Sequence, residues 1–189
     1  MEFIQNNWGW ILLGFVIITI VLMYNSLIAR KNMVENMFGS IDALLKQRYD
    51  MIPNLVASVR EYMKHEREVL EEITKLRSAA INAKSDDEKI DIENRFENLL
   101  SKLMVNIENY PQLKANENFL KLQEALKDIE DRISAARRAY NQAVTDYNNA
   151  VEMFPANLIA KAFNFKRKKV FEIPESEREN VNVGDLFRK

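Results

Sequence analysis

Apolar residues dominate the start of the chain in one uninterrupted block. No charged residue lies between Phe3 and Ala29, and about 20 consecutive apolar residues are enough for a helix to cross a bilayer core. Aromatic side chains at both ends of the block match the belts that Trp and Tyr form at membrane interfaces. The pattern predicts a transmembrane helix within residues 1–29. Its membrane-spanning residues include Trp8, Trp10, Ile11, Leu12, Phe15, Ile18, Val21 and Tyr24.

The charged residues beside this block indicate an anchor that is retained and oriented. Glu2 precedes the block, whereas a cleavable signal peptide begins with basic residues and carries a shorter apolar run. Arg30 and Lys31 follow it directly, and basic residues that flank a span favour the cytoplasmic side. We expect a single-pass protein of the cell membrane with a cytoplasmic domain; an extracytoplasmic domain is the alternative.

Beyond the anchor, apolar residues recur every three or four positions, which is the period of an amphipathic helix. Pro53 interrupts this pattern, either as a kink or in the first turn of a new helix with Asp50 as its N-cap. Ser85 and Glu88 have capping-box spacing and predict a helix start. The two middle stripes are Leu55, Val59, Tyr62, Val69, Ile73, Leu76 and Ala80, and then Ile92, Phe96, Leu99, Leu103 and Ile107. The last stripe, of heptad character, is Phe119, Leu122, Leu126, Ile129, Ile133, Ala136, Tyr140, Val144, Tyr147, Val151 and Phe154.

These stripes predict an all-α fold, in which an N-terminal transmembrane helix is followed by an antiparallel up-and-down four-helix bundle. The low content of helix breakers agrees, since the 189 residues include four glycines and four prolines. We expect the anchor at residues 1–29, the bundle at 30–157, and a basic and aromatic, partly irregular tail at 158–189. If neighbouring helices alternate in direction, the last long helix returns the tail toward the membrane.

Polar residues within the apolar stripes predict a structural polar cluster. Glu66 occupies a position where the pattern expects a core residue, and an ion pair with Arg48 or Arg137 explains it better than acid–base chemistry does. Two Tyr-Asn pairs, in AYNQAV and DYNNAV, favour a polar layer that bonds to Asn54 or to the backbone near Pro53; a recognition surface is the alternative. The predicted cluster comprises Asp42, Arg48, Asp50, Asn54, Glu66, Arg137, Asn141 and Asn148.

Basic and aromatic residues alternate after the last stripe. Such a segment suits contact with anionic lipid headgroups, and a solvated tail with one apolar side packed on the bundle explains it equally well. Nucleic-acid binding is less favoured, because the patch is short and acidic residues follow it directly. The residues of the proposed membrane-surface contact are Lys161, Phe163, Phe165, Lys166, Arg167, Lys168, Lys169 and Phe171.

Composition argues against several kinds of chemistry. The formal net charge is −1, and the chain contains no cysteine and one histidine. His65 and Glu66 begin an HExxH pattern that lacks the second histidine, and a single histidine cannot build a di-iron bundle, which needs two Glu-x-x-His pairs. We therefore expect no catalytic residues, no cofactor, no metal and no nucleic-acid partner.

Several long blocks resemble one known family. They are YNSLIARKNMVENMFGSIDALLKQRYDMIPNLVASVREYMKHE, YPQLKANENFLKLQEALKDIEDRISAARRAYNQAVTDYNNAVEMFP and LIAKAFNF. In this order they are similar to the LemA family of bacterial membrane proteins. The resemblance implies one N-terminal membrane helix and an antiparallel helical bundle, and it supplies no catalytic residues.

Together these features favour a non-enzymatic scaffold or protein-interaction module at the bacterial membrane. Its expected partners are the lipid bilayer and either copies of itself or another membrane protein. Two alternatives remain open. One is a membrane-attached sensor or hydrolase that uses carboxylates near Glu66, and the other is a module that binds the lipid surface.

Overall fold

The computed structural model of the protein describes the backbone of residues 2–172 and the side chains from Asn7 onward. Within this range the chain forms six helices and no strand, which confirms the all-α prediction. The helices are α1 (Glu2–Val59), α2 (Arg67–Ile81), α3 (Asp86–Ile107), α4 (Pro111–Lys114), α5 (Glu117–Glu152) and α6 (Ala156–Ala162). The predicted tail beyond residue 172 lies outside the described residues. The four-helix bundle and the boundaries at residues 29 and 157 stay predictions.

The apolar part of α1 is long and apolar enough to cross a membrane. Only 6 % of its most apolar 18-residue stretch is buried. The predicted membrane-spanning side chains are exposed there, apart from the half-buried Tyr24. An apolar helix with an exposed surface suits a lipid environment, whereas the core helix of a water-soluble domain is buried.

Helix α1 continues through Pro53, so this proline starts no new helix. Proline has no backbone N–H, and the carbonyl of Tyr49, four residues earlier, therefore loses its usual helical donor. The Nε of Arg77 on α2 donates to that carbonyl at 2.7 Å. Pro53 is tolerated within the helix because a second helix supplies the missing hydrogen bond. Asp50, the alternative N-cap, is exposed and lies 3.8 Å from Lys46.

The chain divides into two compact units, and both α1 and α5 contribute to each of them. Among the described residues, the anchor unit contains residues 2–41 together with Ala136–Val170, and the second unit contains Asp42–Ala135 and residues 171–172. Each unit has buried apolar residues of its own. Val34 and Tyr140 are examples in the anchor unit.

Helices α1 and α5 run antiparallel within the anchor unit. The ring centre of Phe38 lies 5.7 Å from that of Tyr140. Tyr24, earlier on α1, contacts Phe163 and Phe165, which follow α6, at 4.8 and 5.9 Å between ring centres. The earlier residue of α1, Tyr24, thus contacts later residues of the chain than Phe38 does, which is the pattern of two antiparallel segments. The last long helix therefore brings Phe163 and Phe165 back to the end of the apolar stretch of α1, and the expected return of the tail toward the membrane stays a prediction.

In the second unit, α2 and α3 are joined by a short turn with the predicted cap. The Oγ of Ser85 accepts a hydrogen bond from the backbone N–H of Glu88 at 3.2 Å. The Glu88 carboxylate accepts one from the backbone N–H of Lys84 at 2.9 Å. The negative side chain in the first turn also favours the helix N-terminus. The sequence therefore located the start of α3 correctly.

The residues that are buried differ from the predicted apolar residues where one helix ends and the next begins. Residues 60–66 separate α1 from α2. Met63 and Leu70 are buried, whereas the predicted Tyr62 and Val69 are half-buried. The cause is that the break changes the rotation of the following helix. At the end of the last stripe, Phe154 is 79 % exposed and is not a core residue.

Candidate functional site

Three carboxylates surround one buried arginine in the second unit. Arg48, on α1, has a fully buried side chain. Its guanidinium group forms ion pairs with Glu93, Glu97 and Glu130, and the Arg48–Glu97 distance is 2.7 Å. The hydroxyl of Tyr49 donates a hydrogen bond to Glu93. We call these five residues the Arg48 cluster, and they join α1, α3 and α5.

The charge on Arg48 is maintained by its acidic neighbours. Burial is the largest influence on the pKa of Arg48 and lowers it, but attraction by Glu130 and Glu97 outweighs burial and raises that pKa above its ordinary value. Buried ion pairs contribute little net stability but are costly to break. The Arg48 cluster is therefore suited to fixing the register of three helices.

Sequence reasoning identified Arg48 but missed its three partners. The apolar stripe on α3 placed Ile92 and Leu99 in the core, whereas both are half-buried and Glu93 is fully buried. Two signals were present. Arg48 lies on the apolar face of α1, and Glu93 and Glu97 are four residues apart, so that they share one face of α3.

The predicted polar residues are divided between the two units. Asp42, Arg48, Asp50, Asn54 and Glu66 belong to the second unit, whereas Arg137, Asn141 and Asn148 belong to the anchor unit. Asp42 lies 2.5 Å from Lys89, and Asn54 is exposed. The spacing of residues along a helix shows which face each of them occupies. It does not show which other helix packs against that face.

Glu66 has a different partner from the predicted one. It lies at the N-cap of α2 without capping it, and its carboxylate accepts a hydrogen bond from the hydroxyl of Tyr110 at 2.8 Å. This hydrogen bond is the main reason why the pKa of Tyr110 is raised. The predicted ion pair between Glu66 and Arg48 is wrong, because Arg48 is engaged by the other carboxylates.

Tyr140, Tyr147 and Asn148 of α5 bind the backbone of an extended C-terminal segment, residues 165–170, which we call the strap. The hydroxyls of Tyr140 and Tyr147 donate to the carbonyls of Lys169 and Lys166 at 3.0 and 2.9 Å. The Asn148 amide both donates to and accepts from the backbone of Lys168, at 2.9 Å each. These hydrogen bonds form a polar layer bonded to backbone, as the preferred interpretation expects, but the backbone belongs to residues 166–169 and not to the segment around Pro53.

The environment of Tyr147 affects its ionisation. Burial is the first cause and the charge of Glu35 is the second, and both raise the pKa of Tyr147 above its ordinary value of 10.0. A neutral hydroxyl is required to donate to Lys166. The strap is therefore held by a group that stays protonated over the physiological range.

The predicted membrane-surface residues are placed in different environments. Phe163 is 57 % exposed, Lys161 and Lys166 are exposed, and Arg167 pairs with Glu152 at 2.8 Å. The remaining four residues, Phe165, Lys168, Lys169 and Phe171, are half-buried or buried. Phe171 is only 2 % exposed. Its predicted contact with lipid is wrong, because an almost fully buried ring cannot reach a membrane surface.

An open groove with basic sides lies in the second unit, between the end of α1 and α2. Its volume is about 700 Å³. Its lining residues are Val56, Arg60, Met63, Lys64, Arg67, Leu70, Glu71, Thr74 and Lys75, and we call it the basic groove. Sequence reasoning missed it, because the groove depends on how the chain turns at residues 60–66.

The charge of the basic groove is unbalanced. Four of its side chains are cationic and one, Glu71, is anionic. Arg67 donates from Nε to Glu71 at 2.8 Å, and this hydrogen bond is the main reason why the pKa of Glu71 is lowered. The negative charge of Glu71 is thus already balanced by Arg67 within the groove. Arg60 and Lys64 form no ion pair with any described residue.

Across the described residues, no group of three or more His, Asp or Glu side chains is arranged to hold a metal ion. His65, the one histidine, is exposed.

Comparison with known proteins places this geometry in context. A family model described as the LemA family matches residues 37–184. Protein LemA of Metamycoplasma hominis is 28 % identical over 180 residues, which is 91 % of this chain and 82 % of that protein. Magnetosome protein MamQ 2 of Paramagnetospirillum magneticum is 30 % identical over 94 residues, which is 50 % of this chain and 35 % of that protein. Magnetosome protein MamQ of Magnetospirillum gryphiswaldense is 28 % identical over the same length.

Proposed function

The chain belongs to the LemA family, and from this premise we propose that it is a non-enzymatic interaction module, anchored in the membrane, whose basic groove binds an acidic segment of a neighbouring membrane protein. The observation that carries the proposal is the charge of the groove. Of its five ionisable side chains, Glu71 is paired with Arg67, whereas Arg60 and Lys64 are exposed and have no ion-pair partner among the described residues.

The composition of the groove suits a peptide better than a small ion. The half-buried Val56 and the buried Met63 and Leu70 line the groove together with the charged side chains. A segment that combines carboxylates with apolar side chains would match both features. Complementary charge steers such a partner toward the groove and aligns it there.

The anchor supports a partner in the same membrane. Confining two proteins to one surface raises their effective concentration without any new contact. The MamQ relatives share about half of this chain within longer proteins. Reuse of a helical segment in longer proteins is what we expect of an interaction module.

We place the second unit in the cytoplasm. Arg30 and Lys31 follow the apolar stretch of α1 directly, and flanking basic residues favour the cytoplasmic side. This orientation exposes the basic groove to cytoplasmic segments of its partner.

Position-specific crosslinking tests the groove in the native membrane. A photoreactive amino acid replaces Thr74, which lines the groove, or Glu124, an exposed residue of α5 in the same unit. We expect a crosslink from position 74 whose captured peptide, sequenced by mass spectrometry, is acidic. It belongs either to another membrane protein or to a second copy of this chain.

Charge reversal separates groove binding from general attraction. The pair Arg60→Glu and Lys64→Glu should abolish the crosslink, whereas Lys121→Glu and Lys127→Glu, at exposed positions of α5, should leave it intact. The proposal is overturned if position 74 captures no more than position 124. It is also overturned if the captured peptide is not acidic or if both charge-reversed pairs behave alike.

A further inference from the structure

The end of α5, α6 and the turn after it form an exposed apolar corner in the anchor unit, which we call the elbow (residues 153–165). Four large apolar side chains in the elbow are more than half exposed. They are Met153, Phe154, Leu158 and Phe163. In a protein surrounded by water, several exposed apolar side chains in so short a segment mark an interaction surface.

The elbow lies beside the end of the membrane anchor. Tyr24 is the last aromatic residue of the apolar stretch, and its ring contacts those of Phe163 and Phe165. Tyrosine at the end of a span lies at the level of the lipid headgroups. A membrane position of Tyr24 at that level places Phe163 and Phe165 there as well.

The elbow is a defined structure. Asn164 has a positive φ of 55°, a left-handed conformation that asparagine adopts more readily than most residues. The backbone N–H of Phe165 donates to the carbonyl of Ala160 at 2.8 Å, and that of Asn164 donates to Lys161 at 3.4 Å. This pair of hydrogen bonds is the Schellman motif that terminates helices, and it turns the chain from α6 into the strap.

Basic side chains accompany the apolar ones. Lys161 and Lys166 are exposed and form no ion pair with any described residue. The charge of Arg167 is matched by Glu152. Cations beside exposed apolar and aromatic groups are characteristic of segments that lie in the interface of an anionic bilayer.

We propose that the elbow inserts its apolar side chains into the headgroup region of an anionic membrane, beside the anchor, and so forms a second membrane contact. The contact with Tyr24 favours lipid over a protein partner, because it places the exposed side chains at the bilayer surface whether or not another protein is bound. This inference concerns the anchor unit and is independent of the basic groove.

Depth measurements on the full-length protein in vesicles test the insertion. Because the chain has no cysteine, single cysteines at Leu158 or at Gln142, an exposed position on α5, can each carry a fluorescent label. The vesicles contain phosphatidylcholine and phosphatidylglycerol with brominated acyl chains. We expect strong quenching at position 158, at a depth of about 5–10 Å, and little quenching at position 142.

Three results would overturn the proposal. The first is equal quenching at positions 142 and 158. The second is a label at position 158 that is shielded from water but not quenched by brominated lipid, which would show that protein covers the elbow. The third concerns charge: replacing Lys161 and Lys166 with Gln should remove any extra quenching caused by phosphatidylglycerol. If that extra quenching is absent, or is lost equally when Lys121 and Lys127 are replaced, the anionic contact is refuted.

Discussion

At the residue scale, the Arg48 cluster accounts for most of the buried charge in the second unit. A guanidinium group removed from water is costly unless acidic groups surround it, and Glu93, Glu97 and Glu130 meet that need from two other helices. Phe96 adds a cation–π contact, with its ring centre 5.1 Å from the guanidinium carbon. The arginine specifies which faces of α1, α3 and α5 meet.

Replacing Arg48 with Met should strongly destabilise the second unit. The substitution leaves buried carboxylates without their cation, which costs about 3–5 kcal/mol when one partner of a buried pair is removed. Chemical denaturation of the full-length protein in detergent, followed by circular dichroism, measures the loss. Arg132→Met is the control, since Arg132 is exposed and lies 3.9 Å from Asp128, and exposed pairs contribute less than about 1 kcal/mol. Equal losses would contradict a structural role for the cluster.

The strap should loosen at alkaline pH because of Tyr147. The folded-state pKa of Tyr147 is raised above 10.0 by burial and by Glu35. Its stabilising contribution is therefore complete below the unfolded-state pKa and is lost as the pH rises through the folded-state pKa. Ionisation removes the donor to Lys166.

Hydrogen exchange of the strap amides between neutral and alkaline pH measures this change. Exchange rates are compared with those of an unfolded reference at each pH, because base catalysis accelerates all amides. In Tyr147→Phe, which lacks the hydroxyl, we expect weaker protection at neutral pH and less further loss on raising the pH. Identical pH profiles for the two proteins would exclude Tyr147 as the cause.

At the element scale, the spacing of apolar residues predicted which segments are helical. It did not predict the contacts between one helix and another. Ile73, Leu103 and Ile133 are buried as their spacing indicates. The spacing did not resolve Pro53, because a proline can be accommodated when another helix satisfies the freed carbonyl. That donor, Arg77, is 24 residues further along the chain, and no local pattern identifies it.

A double-mutant cycle tests this account of α1. Arg77→Leu should cost about 1–3 kcal/mol, because it leaves the carbonyl of buried Tyr49 without a donor. In the Pro53→Ala background, the new N–H of residue 53 can satisfy that carbonyl, so the same substitution should cost less. Denaturation of the four proteins gives the coupling energy, which we expect to be about 0.5–3 kcal/mol. Arg95→Leu, an exposed arginine on α3, should show no coupling to Pro53.

At the scale of the whole molecule, the sequence predicted the all-α class and a long N-terminal helix apolar enough to cross a membrane. It did not establish the strap or the basic groove. The strap depends on side chains of α5 that bind backbone carbonyls, and any sequence offers such carbonyls. The groove depends on a turn at residues 60–66 that contains neither Gly nor Pro. The spacing of apolar residues identifies the buried face of a regular helix. The strap and the basic groove depend on irregular segments, which have no such spacing.

The proposed orientation of the molecule rests on two charged residues, Arg30 and Lys31, and replacing them tests it. Single cysteines at Asn7 and Lys121 report the two sides of the anchor through a membrane-impermeant maleimide. With the second unit in the cytoplasm, intact cells should be labelled at position 7 alone, and permeabilised cells at both positions. Replacing Arg30 and Lys31 with Gln should weaken this preference, because those cations disfavour translocation of the segment that follows them. Labelling of position 121 in intact cells would place the basic groove outside the cytoplasm, and its acidic partner would then have to lie on that side of the membrane.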